Sequence, residues 1–437
     1  MRNGSISIKF ETLKSNKKRI YFLCGFICVV ILFAVIIING SLAKYRTTQS
    51  IPLVNGTINY ELSDLNLIGV YIEDGEDYTK VDQIPDSGYT FNSEKSYCKI
   101  GDEKQDMTIT YDMNAKNLTI APMTKKGTKC YLYFDKKTTL KDTILANNSV
   151  NSGTPNFANT ATTDEGVYKT QDDWGDSYYF RGSVNNNWVK FANFYWRIIR
   201  INGDGSIRVI YNGTSTIATG IDTIVKNSQK FNSSYNRSEY VGYMYTDGEQ
   251  HGNTTNSSIK EVIDSWYNSN LASYADKIST EAGFYSDRNL KSGSWSSTRE
   301  PLYYAAYGRL IDNKKPTLKC GNSNDLYTTL SSSKGNKKLS NPIGLITADE
   351  VIMAGGSWNS ENSSYYLYND VEYWTMSPYI FYVGSRSGSA RMFGVDSSGN
   401  LVWYNVDDAI YIRPVINLSA NITIKSGNGT SSTPYEI

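Results

Sequence analysis

FYWRIIRINGDGSIRVIYNG, residues 194–213, sets two runs of aromatic and β-branched residues on either side of Asn202-Gly203-Asp204-Gly205. The runs favour strands and the four central residues tolerate the positive φ of a tight turn, so the stretch predicts a β-hairpin. Asn202, Asp204 and Ser206 also have the spacing of calcium-loop ligands. The remaining ligands and the distal Glu of an EF-hand are missing, which favours the plain hairpin.

Downstream of the hairpin, Ser257–Leu271 (SSIKEVIDSWYNSNL) starts with capping residues, and Ile259, Val262, Ile263, Trp266 and Tyr267 recur at helical spacing. A second helix is predicted over Thr347–Ala354. Thr347 serves as N-cap, Glu350 completes a capping box and Gly355-Gly356 ends it. Residues 285–340 read as loop-rich, and EYWTMSPYIFYVG, SARMFGVDSSGNLVWYNV and AIYIRPVINL read as strands joined by turns. Two helices among many strands and long loops predict an α+β domain over residues 166–420, followed by a tail, 421–437.

Upstream, Lys44–Lys136 breaks into short strand-like runs separated by Gly, Asn, Asp and Pro, and the expected solution is a small β-sandwich over residues 44–136. Cys98 and Cys130 lie in two of those runs. A disulfide between them is the favoured reading, with two buried free thiols as the alternative. Residues 137–165 contain one short helical pattern in an otherwise polar, Gly- and Pro-punctuated stretch, read as a linker.

Ile20–Ile38 is an uncharged apolar run of 19 residues, about the length that crosses a ~30 Å hydrocarbon core. Arg2, Lys9, Lys14, Lys17, Lys18 and Arg19 precede it against the single acid Glu11. This +5 flank predicts a cytoplasmic tail (1–19), a signal-anchor (20–40) and an exported body. Retention as a single-pass membrane protein is expected, while cleavage after Ala43 would release the body. With 44 basic and 43 acidic residues in all, the exported part carries −4, so the +1 of the whole chain averages over two compartments. No basic excess points to nucleic acid.

The chain has 35 Tyr, 8 Trp, 14 Phe, one His and five Cys. Histidine-based metal sites and Cys/His nucleophiles therefore have little raw material, and no catalytic residue, metal site or cofactor is expected. His251, in a polar loop, reads as exposed and idle. Ser257-x-x-Lys260 and Ser331-x-x-Lys334 have the spacing of a Lys-activated Ser but lack the accompanying motifs. Asp164, Glu165, Asp172, Asp173 and Asp176 read as a solvated entry loop.

The order of WRIIRINGDGSIRVI (196–210), SSIKEVIDSWYNSNL (257–271), PIGLITADEVIMAGG (342–356), YWTMSP (373–378) and IRPVINL (412–418) resembles that of Gram-positive cell-surface proteins. Their main domain looks like the C-type-lectin-like fold, which also includes the formylglycine-generating enzymes. Leu345-Ile346-Thr347-Ala348-Asp349-Glu350, Trp374-Thr375-Met376-Ser377 and Ile412-Arg413-Pro414-Val415 stand where that group has its helix start, Trp-Ser/Thr-Ser strand and terminal strand. Formylglycine generation needs a Cys pair, and this domain has only Cys320. The lectins' calcium motifs are replaced by Glu300-Pro301-Leu302 and Trp358-Asn359-Ser360, so calcium, although compatible with the fold, has no motif behind it. The resemblance implies ligand-facing loops and strands over Trp358–Trp403. Aromatic and Arg side chains there suit a binding surface for an extracellular glycan or protein, and the candidates are Tyr379, Tyr382 and Arg386. Trp374 reads as core.

Overall fold

The computed structural model describes residues 66–437 apart from 86–87, 113–115, 123–126, 218, 300 and 385–387. The apolar run Ile20–Ile38 with its basic flank, the Ala43 cleavage site and Arg386 lie outside the described residues. No helix among the described residues is long and apolar enough to cross a membrane. The protein is mixed α/β, rich in strands and poor in helices, and it divides after Lys136 into two compact units.

In the smaller unit, β1 (Asn66–Asp74), β2 (Asp77–Val81), β3 (Tyr89–Ile100), β4 (Glu103–Gln105) and β7 (Lys129–Lys136) form one sheet in the order β2-β1-β7-β3-β4, with only β1 and β7 parallel. Alternation along the strands sends Val70, Cys98, Leu132 and Phe134 into a core, which the hairpin β5 (Thr108–Asp112) and β6 (Asn117–Ala121) covers with Ile109 and Ile120. The second layer over residues 66–136 is thus a two-stranded hairpin. Cys98 and Cys130 face each other in register on β3 and β7 and are disulfide-bonded.

The larger unit starts earlier than composition suggested. In α1 (Leu140–Asn147), capped by Thr139, Leu140 and Ile144 share one face and are fully buried. Then β8 (Val150–Asn151) pairs with β9 (Asp164–Asp172). The stretch 137–165, expected to be a linker, is therefore part of the folded unit. Next come β10 (Gly175–Gly182), β11 (Trp188–Phe191), and the predicted hairpin as β12 (Phe194–Ile201) and β13 (Ile207–Tyr211). Gly205 takes φ +85° in its turn, and at Gly203 a Cβ would come within 2.3 Å of the Gly175 nitrogen. Only glycine permits that backbone approach.

Beyond the hairpin are β14 (Val225–Lys230), the two-residue pair β15 (Met244–Tyr245) and β16 (Thr255–Asn256), and α2 (Ser258–Asn270). Ser257 caps α2, which buries Ile259, Ile263 and Tyr267. β17 (Phe284–Tyr285), β18 (Leu302–Tyr303), β19 (Leu326–Tyr327) and β20 (Ile343–Gly344) punctuate the loop-rich stretch. In α3 (Ala348–Ala354) the capping box between Thr347 and Glu350 is formed, and Gly355 ends the helix at φ +117°. The last strands are β21 (Tyr373–Val383), β22 (Gly388–Val395), β23 (Leu401–Asn405), β24 (Ala409–Ile412), β25 (Val415–Leu418) and β26 (Tyr435–Glu436).

One sheet runs β20-β25-β13-β12-β10-β9-β8, with β11 paired to β12 and to β26. The other runs β14-β24-β21-β22-β23, with β18 paired to β21. A single core joins them, including Trp196 and Ile198 from the first and Trp374 and Phe393 from the second. Residues 421–437, expected to be a tail, return to the first sheet. Tyr435 is fully buried there and its hydroxyl accepts a bond from the Asn147 amide at 3.2 Å.

Candidate functional site

The face of β21–β23 that carries Tyr382, Arg391 and Trp403 forms a shelf of aromatic rings. Pro378 pairs with Met392 and Ile380 with Arg391, which leaves Tyr379 as the extra residue of a β-bulge. A bulge re-aims the side chain at its extra residue. Here it brings Tyr379 onto Trp403, which shares the Arg391 guanidinium with Tyr382, three positions on, where strict alternation would separate the two. Tyr379 stacks on Trp358 at 5.3 Å and on Trp403 at 6.2 Å, and it meets Phe393 edge-on. From β18 and the turn after it, Tyr303 and Tyr307 extend the row, Tyr307 lying 5.5 Å from Tyr379.

Four aromatic side chains of the described residues are strongly exposed, and three of them, Tyr303, Tyr382 and Trp403, lie on this shelf. The fourth, Tyr235, accepts a backbone bond from Ala390 at the neighbouring strand. The Arg391 guanidinium lies over both Trp403, at 4.0 Å, and Tyr382, at 4.9 Å, and its Nε donates to Asn405. Among the described residues Arg391 has no carboxylate partner, so it can offer charged N–H groups outward. Burial, reinforced by Tyr307 and Tyr303, pushes the Tyr379 phenol up to about 12. It is a neutral donor at physiological pH.

Of the three residues singled out in the sequence, Tyr379 and Tyr382 belong to this shelf and Arg386 lies outside the described residues. Trp374 is fully buried, and Tyr365 and Tyr366, from the same aromatic stretch, are buried too. Tyr303 and Tyr307 come from the loop-rich segment, where no periodicity marks them. Trp403 and Arg391 lie in the stretch the sequence marks, but only their strand register sets them apart from its core residues.

The charged residues do different work. Asp172, read as part of a solvated loop, is buried. It accepts from Arg200 at 2.6 Å, and from the backbone of Trp174, Gly175 and Gly203. Burial alone would raise the Glu350 carboxyl, but Arg208 and Arg200 hold it below the ordinary range. Arg309 joins Asp287 to Asp349, and Arg288 pairs with Asp325. His251 is not idle: its Nδ1 lies 2.9 Å from Asp325, where the imidazole is partly covered. Each of these carboxylates is engaged with a basic partner inside the fold.

The remaining motifs resolve into structure. Ser257 caps α2 and donates to Tyr243, while Lys260 pairs with Asp264 at 2.5 Å. Lys334 bonds the backbone oxygen of Asp173. Asp204 accepts from Ser206 within the hairpin turn. Burial pushes the Cys320 thiol up, opposite to what a nucleophilic thiolate needs, and its Sγ donates to the Asn322 carbonyl. Among the described residues no group of three or more His, Cys, Asp and Glu could hold a metal ion.

Compared with protein-family models, curated proteins and solved structures, the chain matches none.

Proposed function

We propose that the protein is a membrane-anchored extracellular binding protein whose larger unit recognises a glycan through the aromatic shelf of Tyr303, Tyr307, Trp358, Tyr379, Tyr382 and Trp403. The observation that carries the reading is the concentration of the exposed rings Tyr303, Tyr382 and Trp403 beside the Trp358–Tyr379–Trp403 stack, with Arg391 over Tyr382 and Trp403. Flat rings with polar tips bury a large area at small entropic cost, and they match the apolar C–H faces of sugar rings while Arg391 and the Tyr hydroxyls meet sugar oxygens. The topology rests on the uncharged run Ile20–Ile38 behind a +5 flank. The description of the larger unit as C-type-lectin-like rests on the order of its sequence motifs. No catalytic step and no cofactor enters this reading.

The test is an array of glycans and extracellular proteins probed with the full-length chain in detergent micelles, with calcium and with chelator. Saturable binding to a glycan that Trp403→Ala removes supports the proposal. Saturable binding to proteins alone selects a protein-binding role instead, and self-association without saturable binding selects a structural role at the cell surface. Turnover of a glycan, lost on single Asp or Glu substitution, selects an enzyme.

A further inference from the structure

The open face of the smaller unit has a charge arrangement that its own stability does not explain. Register across β7, β3 and β4 sets Lys129 opposite Lys99 and Lys99 opposite Lys104, so three ammonium-bearing residues form one row across three strands on one face. Like charges directly opposite one another destabilise a sheet. Lysines often guard sheet edges, which accounts for Lys104 on β4, but β7 and β3 are interior strands. Asp102 approaches Lys99 only at 3.8 Å and is fully exposed, and among the described residues neither Lys104 nor Lys129 has a carboxylate partner. The row does not follow from a basic composition either. Residues 66–136 hold 12 acidic and 9 basic residues, so three of the nine cations stand together in one row on a net-negative stretch.

Directly beside the row, on the same face, lies a carpet of tyrosines. Tyr97 stacks on Tyr131 and Tyr71 on Tyr133, each pair at 4.9 Å, and Tyr78 meets Tyr133 edge-on. All five rings are partly exposed. The Lys104 ammonium lies over Tyr97 at 4.3 Å and that of Lys99 over Tyr131 at 5.6 Å. The row of cations and the carpet of flat rings thus adjoin on one face. At the far end the acids are already engaged: Asp135 accepts from Tyr78 and Asn92, and Glu73 from the Lys136 backbone.

We infer that this face binds an acidic polysaccharide, a chain of sugar rings bearing carboxylates, with the rings on Tyr97, Tyr131, Tyr71 and Tyr133 and the carboxylates at Lys99, Lys104 and Lys129. Charge complementarity selects an anion and the adjoining rings select a ligand that is itself built of rings. Nucleic-acid affinity rises with each phosphate neutralised, and a row of three lysines offers few such contacts, so rings that carry their own carboxylates suit this face better. The inference uses no residue of the shelf on the larger unit and stands apart from the function proposed for it.

Polygalacturonate is the probe, with its fully methyl-esterified form and poly(dT) as comparators, and binding is read by calorimetry on the full-length chain in detergent micelles. The expected result is salt-sensitive binding of polygalacturonate, little binding of the ester, and at least a tenfold loss in Lys99→Gln/Lys104→Gln/Lys129→Gln. That variant relieves the repulsion in the row, so its unfolding temperature at low salt should equal or exceed that of the unmodified chain, which separates lost binding from lost folding. Tyr97→Ser should weaken binding, and Trp403→Ala should leave it unchanged. The inference is overturned by absent polygalacturonate binding, by equal binding of the ester, by undiminished binding in the triple variant, or by tighter binding of poly(dT). Loss of polygalacturonate binding in Trp403→Ala alone would assign the ligand to the shelf of the larger unit and overturn only the inference made here.

Discussion

Glu350 and Arg208 form an ion pair at 2.6 Å with both side chains buried. The same carboxylate accepts from Arg200 and, through its other oxygen, closes the capping box on Thr347. One side chain therefore fixes α3 against both strands of the β12–β13 hairpin, joining the two most legible local signals of the sequence into one core.

Replacing that carboxylate by its amide keeps the shape and leaves buried Arg208 without its counter-charge, while Arg200 keeps Asp172. Breaking a buried pair from one side typically costs about 3–5 kcal/mol. Glu350→Gln should lose stability of that order in urea unfolding, and a loss below about 1 kcal/mol would mean that the pair contributes little beyond the cap.

Acid should act on the same site. Glu350 is held below the ordinary carboxylate range in the folded state, so its contribution is complete above the unfolded value of about 4.3 and is lost as pH falls through the folded value. Asp173 has the opposite sign, because burial raises its carboxyl. Its ionised form costs stability, which returns as it takes up a proton. Stability measured from pH 7 to pH 3 should therefore fall less steeply in Glu350→Gln than in the unmodified chain. Asp173→Asn should be neutral or stabilising at pH 7, with an advantage that shrinks in acid.

In the smaller unit Cys98 and Cys130 are separated by 32 residues. Opening a loop of that length releases roughly 3–4 kcal/mol of chain entropy to the unfolded state. Cys98→Ser/Cys130→Ser should unfold at correspondingly lower denaturant, and reductant should shift the unmodified chain but not the variant.

The parts of the structure that could be read in the sequence are those encoded locally. The hairpin turn at Asn202–Gly205, the N-cap Ser257 and the Thr347/Glu350 box are each specified within a few residues. The charge network is not: Arg200 and Glu350 are 150 positions apart, and Asp172 sits in a stretch whose composition is that of a solvated loop. Composition counts charges without revealing their partners. The same limit hid the folded character of residues 137–165 and 421–437, whose scattered apolar residues, Leu140, Ile144, Phe157, Ile422 and Tyr435 among them, join the core of distant strands. In the aromatic stretch, Tyr379 and Tyr382 were legible as a pair only by residue type, because the bulge that brings them to one face depends on the register with β22.

Two tryptophans of that stretch separate fold from function. Trp374 is fully buried, donates from Nε1 to the Gln229 carbonyl at 2.7 Å and packs edge-on against Phe231 and Tyr404. Trp374→Ala should cost about 3–5 kcal/mol, as a large core ring does. Trp403 is 38% exposed and its contacts are the Arg391 guanidinium and the face of Tyr379. Trp403→Ala should change stability by less than about 1 kcal/mol. On the proposed function it should nevertheless cost about 2 kcal/mol of ligand affinity, roughly 30-fold, because an exposed ring at the centre of a binding surface contributes most once a ligand covers it. Paired urea unfolding and calorimetric titration with the array-identified glycan give both numbers. If Trp403→Ala lost stability as Trp374→Ala does, the ring would belong to the core. If it kept full affinity, the shelf would not be the glycan site.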